Sequence, residues 1–171
     1  PPLQIVWEGE GRARREVAYG QWLIGNDYSN KTRYYGAYPH GYLERVAALF
    51  PDVPLSLQSP SGIRARHWGI MHVFSGSLPM GSYDRCDLTQ LSEYQCSVAD
   101  LAERLHGRRY PLVMADPPYS KEDAKRYNAP MINRAPTLRA LADVVTIGGH
   151  LVWLDTTWPM HRKDQWRTRA R

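Results

Sequence analysis

Apolar positions in this chain come in short runs, each cut off by proline, glycine or small polar residues, so the elements they predict are short as well. Ile70-Met71-His72-Val73-Phe74 stops at Ser75-Gly76-Ser77, which predicts a buried strand ending in a tight small-residue turn. Pro79, Gly81 and Ser82 then interrupt the chain, and no long helix is expected there. Tyr83 to Leu88 predicts a second short strand ending at Asp87, and Tyr94 to Val98 a third, followed by Asp100. Leu101 and Leu105 suggest a short helix or turn stopped by Gly107. Leu112-Val113-Met114-Ala115 must end as a strand at Asp116-Pro117-Pro118-Tyr119, because proline donates no hydrogen bond to a sheet ladder. Ser120 to Asn128 is charged and reads as a mobile loop, with closure of Lys121 to Asn128 over DNA as a lid its functional alternative. Leu138, Leu141, Ala142 and Val145 share a helical face over Ala135 to Val145. Gly148-Gly149 is expected to close that helix, before a last strand from His150 to Leu154 that ends at Asp155.

Upstream the pattern is weaker. Pro1 to about Lys31 mixes Trp7, Tyr19 and Trp22 with glycines and has no sustained period, so it reads as an arm or irregular extension. Tyr42, Leu43, Val46, Ala47 and Phe50 predict a helix closed by Pro51, and Pro51 to Gly62 a loop. The expected organisation is an extension with a helix packed on the core over 1–62, and the core itself over 63–171. Short strands separated by crossover-length segments give an α/β fold with a mainly parallel sheet and helices on its faces.

Composition narrows the setting. The 171 residues suit one domain with a real core. Cys86 and Cys96 are too few for a disulfide framework and lack zinc-site spacing, which favours a reduced, cytoplasmic protein. No apolar run reaches the roughly 18 residues of a membrane span, and Pro1-Pro2 does not open a signal peptide. The net charge of +5 is carried mostly by arginine, only Lys31, Lys121, Lys125 and Lys163 being lysines. Arginine's planar fork suits phosphate oxygens, so a nucleic-acid partner competes evenly with a merely solvated surface.

Chemistry concentrates where the strands stop. Ligand sites of parallel sheets lie beyond the carboxyl ends of the strands, near a switch in strand order. Ser75-Gly76-Ser77 offers small side chains and backbone N–H groups at a bend; an ordinary strand-ending turn would look the same. Asp87 can accept from a ribose diol or cap its loop, and Asp100 can hold an adenine amine or cap a helix. Asp116-Pro117-Pro118-Tyr119 is far more specific. Its prolines fix two φ angles and remove two donors, leaving carbonyls that only accept, between a carboxylate and an aromatic ring. Such a corner suits a planar aromatic amine, its N–H groups donating to Asp116 and the Pro117 carbonyl while Tyr119 stacks on the ring.

With these residues the chain resembles the amino-specific DNA methyltransferases that use S-adenosylmethionine, in which a D-P-P-Y element follows the fourth strand. The resemblance runs from about Gly69 to Asp155. It implies a Rossmann-like class I methyltransferase sheet, here expected to lack the last antiparallel strands. It also implies catalysis at Asp116, Pro117, Pro118 and Tyr119. His72, Phe74, Ser75, Gly76 and Ser77 are implied to bind the cofactor, with Asp87 toward its ribose and Asp100 toward its adenine. Tyr35-Gly36-Ala37-Tyr38-Pro39 resembles a segment that walls the methionine end of the cofactor. The first motif departs from the family, with Val73-Phe74-Ser75-Gly76-Ser77-Leu78-Pro79 where an acidic residue or asparagine, a second glycine and a full helix are usual. An aspartate at the head of the catalytic motif leans toward adenine N6 over cytosine N4. DNA is the expected partner, contacted through Arg64-Arg66, Arg108-Arg109 and Arg162 to Arg171. RNA, a homo-oligomer, a completing protein partner and a non-catalytic methyltransferase-like subunit stay open beside it. Trp68, Trp153 and Trp158 read as core or strand-end packing.

Overall fold

A computed structural model describes the backbone of residues 4–8 and 15–19, the single residues Tyr38, Tyr42, Val46 and Leu49, and residues 69–81 and 83–169. Its centre is a five-stranded parallel sheet. In chain order the elements are β1 (Gln4–Glu8), β2 (Arg15–Tyr19), β3 (Ile70–Val73), β4 (Asp84–Asp87), β5 (Tyr94–Gln95), α1 (Val98–Arg104), β6 (Tyr110–Ala115), α2 (Lys121–Arg126), α3 (Arg134–Val144) and β7 (Val145–Trp153). The sheet order β5-β4-β3-β6-β7 is that of the Rossmann-like class I methyltransferase core. The chain steps outward from β3 through β4 to β5, crosses back to β6 and continues to β7. The switch point therefore falls between β3 and β6, and no antiparallel strand joins this sheet among the described residues.

Alternation along β3 and β6 sends side chains to two different faces. Met71, Val73, Val113 and Ala115 pack under α1 and α3 with Cys86, Leu101, Leu141 and Val144, an apolar face with almost no exposure. Ile70, Leu112 and Met114 face the other way, where they meet Leu78, Tyr83, Tyr42 and Val46. Tyr42 and Val46 are helical, as their spacing predicts, and so is Leu49, whereas Leu43, Ala47 and Phe50 lie outside the described residues.

A parallel pair needs a crossover, commonly a helix. Between β3 and β4 the described residues form none, as the interrupting Pro79 and Gly81 predict. The loop is instead tied down at several points. Leu78 N–H donates to the Ser75 carbonyl at 2.9 Å, the buried Arg85 guanidinium donates to the Leu78 carbonyl, and the Tyr83 hydroxyl to that of Pro79. Glu93 in turn holds Arg85 with contacts of 2.9 and 3.0 Å.

Four expectations need correction. The first thirty residues are not irregular throughout, since β1 and β2 pair antiparallel from Gln4↔Tyr19 to Glu8↔Arg15. Each strand is only five residues long and rich in β-formers, too short to show a sustained period. Residues 120–128 are not a structureless loop: Lys121–Arg126 is helical, capped by Ser120, whose hydroxyl accepts from Asp123 N–H while donating to its carboxylate. Gly148-Gly149 does not close α3, which ends at Val144 with β7 following directly. The glycines sit in a bulge where the register jumps from Tyr110↔Val145 to Leu112↔His150, Gly148 having φ +78°. The third strand is only Tyr94–Gln95, because Ser97 caps α1 and Val98 begins it.

Candidate functional site

Three of the strand ends singled out by sequence meet at the carboxyl edge of β4, β3 and β6. Phe74 and Gly76 leave β3 with φ +58° and +51°, turning the chain sharply over the sheet edge. Ser75 N–H donates to the Cys86 carbonyl at 3.2 Å, and Gly76 N–H to Asp87 Oδ2 at 2.8 Å, so the glycine turn is laced to the end of β4. On the other side of β3, Asp116 N–H reaches the Val73 carbonyl at 3.5 Å, which places the acceptor-only corner beside that turn. Pro117 is fully buried and Asp116 and Tyr119 half-buried.

Asp116 carries the unusual electrostatics of the site. Burial raises its carboxyl pKa to about 7, opposed by the Tyr119 hydrogen bond and reinforced by the charge of Asp155. The Tyr119 hydroxyl donates to Oδ1 at 2.7 Å, occupying an acceptor position that an amine N–H could take. Burial works against ionisation of Asp155, one strand over at the end of β7, but hydrogen bonds from Arg134 and Trp153 outweigh it and hold its carboxyl below the usual carboxylate range. Arg134 grips it in bidentate fashion at 2.7 and 2.9 Å. This pair was missed by sequence reasoning, although Asp155 was recognised as a strand end. Tyr38 and Tyr42 stack at 5.1 Å, and both feel the charge of Asp116, which adds to burial in pushing their hydroxyl pKa values up.

The residues expected to bind cofactor divide. Ser75 is 3% exposed, and its Oγ is a buried hydroxyl without a hydrogen-bond partner among the described residues, next to the switch point. Such a group ordinarily finds a partner, so an unmet one at a ligand edge is a feature a bound molecule would satisfy. Asp87 is largely engaged: Oδ2 takes Gly76, and Oδ1 takes Thr89 N–H, Gln90 N–H and the Thr89 hydroxyl. A carboxylate offers about four lone-pair sites. Asp87 is therefore first a clamp on the turn. Asp100 lies one strand further out, exposed, exchanging hydrogen bonds with Ser97 at 2.7 and 3.3 Å as part of the α1 cap. His72 is 2% exposed on the face shared with Tyr38, Tyr42 and Tyr83. Tyr35, Gly36, Ala37 and Pro39 lie outside the described residues.

Immediately after Tyr119, α2 lines an open groove of about 450 Å³ with Lys121, Ala124 and Lys125, and Asn128, Ala129 and Met131 complete it. The arginine clusters are unevenly placed. Arg108 and Arg109 sit at the opposite end of the sheet in ion pairs with Asp84 and Asp143, Arg162 is paired with Asp164, and Arg64 and Arg66 lie outside the described residues. Trp153 packs at its strand end, whereas Trp158 is half exposed and Trp68 lies outside the described residues. Cys86 and Cys96 are free thiols with sulfurs 3.9 Å apart. Among the described residues there is no cluster suited to a metal ion, and no helix long and apolar enough to cross a membrane.

The fold is thus that of a class I methyltransferase core, and a site at its switch point is consistent with S-adenosylmethionine binding by a methyltransferase-like enzyme. No protein-family model matches the chain, and no curated protein or solved structure matches it either.

Proposed function

We propose that the chain transfers a methyl group from S-adenosylmethionine to the exocyclic N6 amine of adenine in DNA. The observation that carries this reading is the juxtaposition, across adjacent strands, of the Asp116-Pro117-Pro118-Tyr119 corner and the turn holding the unsatisfied Ser75 hydroxyl. The cofactor would lie over Phe74, Ser75, Gly76 and Ser77, with His72 behind that turn, Asp87 toward its ribose and Asp100 toward its adenine. When bound, it supplies an electrophilic methyl group on a sulfonium centre.

The rest is work for the chain's own residues. An aromatic amine is a poor nucleophile because its lone pair is delocalised into the ring. Hydrogen bonds from the amine to the Asp116 carboxylate and the Pro117 carbonyl favour a more tetrahedral nitrogen and strengthen as positive charge develops on it, and the methylated amine, now acidic, then loses its extra proton. Removing one such preorganised group costs on the order of 100-fold in rate. Tyr119 leaves Asp116 as the amine arrives and stacks on a base drawn from its helix, offsetting part of the few kcal/mol that extrusion costs. Lys121 and Lys125 on α2 and the arginines from Arg162 onward supply phosphate contacts.

The test is calorimetric titration with S-adenosylmethionine, then incubation with DNA and mass analysis of the released nucleosides. N6-methyldeoxyadenosine supports the reading. N4-methyldeoxycytidine, or methylation confined to RNA, would replace the acceptor, and cofactor binding without transfer to any nucleic acid would refute catalysis by this chain alone.

A further inference from the structure

The proposed chemistry accounts for the corner that receives a base but not for the shape and lining of the groove beside it. That groove, about 450 Å³, is lined by Lys121, Ala124 and Lys125 of α2 and by Asn128, Ala129 and Met131 after it, two cations and no acid. Both ends of α2 are fixed to the site. Lys121 follows Tyr119 by two residues, so their Cα atoms lie within about 7 Å of each other. At the other end the Thr89 hydroxyl donates to the Tyr127 carbonyl at 3.4 Å, and Thr89 N–H to Asp87 Oδ1 at 2.9 Å, which joins α2 to the loop at the end of β4.

Lys121 and Lys125 stand one turn apart on the same face of α2. Among the described residues neither forms an ion pair, whereas Arg126 is paired with Asp123. Asn128 closes the helix. It adopts φ +53° and donates from its N–H to the Lys125 carbonyl at 3.1 Å, while Ala129 N–H donates to the Ala124 carbonyl at 2.9 Å, a pair of bonds that ends many helices. Glycine is the usual residue there, and asparagine is tolerated. The Asn128 side-chain amide is therefore not needed for the cap, and among the described residues it is exposed and makes no hydrogen bond. A carboxamide sets a donor and an acceptor in one plane, the combination that matches the edge of a base.

We propose that this groove seats the nucleotide next to the target adenine, its phosphates on Lys121 and Lys125 and its base edge on the Asn128 amide, so that Asn128 selects the neighbouring base. The inference rests on the reading of Asp116 to Tyr119 as the corner that receives the adenine. Charge favours a DNA strand as the occupant. Two unpaired ammonium groups with no carboxylate in the lining attract phosphates, and a strand that carries a base to Tyr119 brings its next phosphates within reach of Lys121.

Two measurements test this. Anisotropy of a labelled DNA duplex, titrated with protein at about 50 to 200 mM salt, counts phosphate contacts. Lys121→Gln and Lys125→Gln should each lower the salt slope by about 1 and weaken all duplexes alike. Single-turnover methylation of a fixed adenine, in duplexes that differ in the base on either side of it, reads the selection. The parent should prefer one neighbour by about tenfold, and Asn128→Gly should flatten that preference to within about twofold. Its melting temperature should hold or rise, because glycine suits the positive φ. A salt slope that either lysine variant leaves unmoved, or a neighbour preference that is absent from the parent or survives in Asn128→Gly, would overturn the inference. So would polyglutamate that binds as tightly as the duplex and loses affinity alike in the lysine variants, which would mark a seat for acidic peptide. A parent that transfers no methyl group is assayed for the same preference by duplex affinity, where its loss in Asn128→Gly removes the proposed reaction and leaves the groove standing.

Discussion

The two ends of the sheet each hold an aspartate that accepts a tyrosine hydroxyl, and the two have opposite surroundings. At the amino end, Asp84 takes the Tyr110 hydroxyl at 2.6 Å and the Arg108 guanidinium at 2.9 Å, and Arg108 also lies over the Tyr110 ring. At the carboxyl end, Asp116 takes the Tyr119 hydroxyl, but among the described residues no cation forms an ion pair with it. The neighbouring arginine is committed to Asp155. One carboxylate is neutralised by its own structure and serves the fold. The other is desolvated and uncompensated, a costly arrangement that is frequent at functional sites.

Exchanging the two aspartates for alanine tests this contrast at its greatest amplitude. Asp116→Ala should lower the single-turnover methylation rate on the order of 100-fold with no loss of melting temperature. Asp84→Ala, which strands Arg108 and the Tyr110 hydroxyl, should cost about 2 kcal/mol in a denaturant titration and leave the rate per folded molecule unchanged. If both variants lose only stability, Asp116 is structural as well.

The next effect is on pH dependence. The Asp116 carboxyl has a folded pKa of about 7 against an ordinary value of 3.8. Between those values the unfolded chain has released a proton that the folded chain keeps, so rising pH favours unfolding and this group's penalty is complete above about pH 7. Asp116→Asn should therefore stabilise the protein at pH 8, on the order of 4 kcal/mol, with the gain vanishing near pH 4. The methylation rate of the parent should rise with pH around a midpoint near 7, because only the carboxylate accepts the amine. A flat profile together with an Asn variant no more stable at pH 8 would make the two aspartates equivalent.

Smaller differences sharpen the same picture. Tyr110→Phe should cost about 1 kcal/mol of stability with no kinetic effect. Tyr119→Phe removes the hydrogen bond that lowers the Asp116 pKa, so the midpoint of the rate profile should move above 7 with little change in melting temperature. Ser97→Ala and Ser120→Ala should each cost about 1 kcal/mol by uncapping α1 and α2. Only the second should touch catalysis, because its helix follows Tyr119 directly.

Much of this was legible from residue order alone because the signals are local. An apolar run meeting Asp116-Pro117-Pro118 has to stop where it does, and Ser75-Gly76-Ser77 and Asp87 mark two further strand ends. The Ser-x-x-Asp caps at Ser97 and Ser120 are equally local signals, yet the first was read as a cap at Asp100 and the second was not read at all, although it marks α2 as a helix. The bulge at Gly148-Gly149 was misread because glycine after an apolar helical face has the same local appearance whether it ends the helix or bends a strand. Partnership between distant residues has no such signature. That β3 lies beside β6, that Asp155 sets the charge beside Asp116, and that His72 turns to Tyr38 rather than to the carboxyl edge depend on how the sheet is ordered and which face each side chain takes. Sequence determined where each strand ends and which groups stand there. Tertiary structure decided which of them are desolvated together, because burial and charge coupling are properties of neighbours in space.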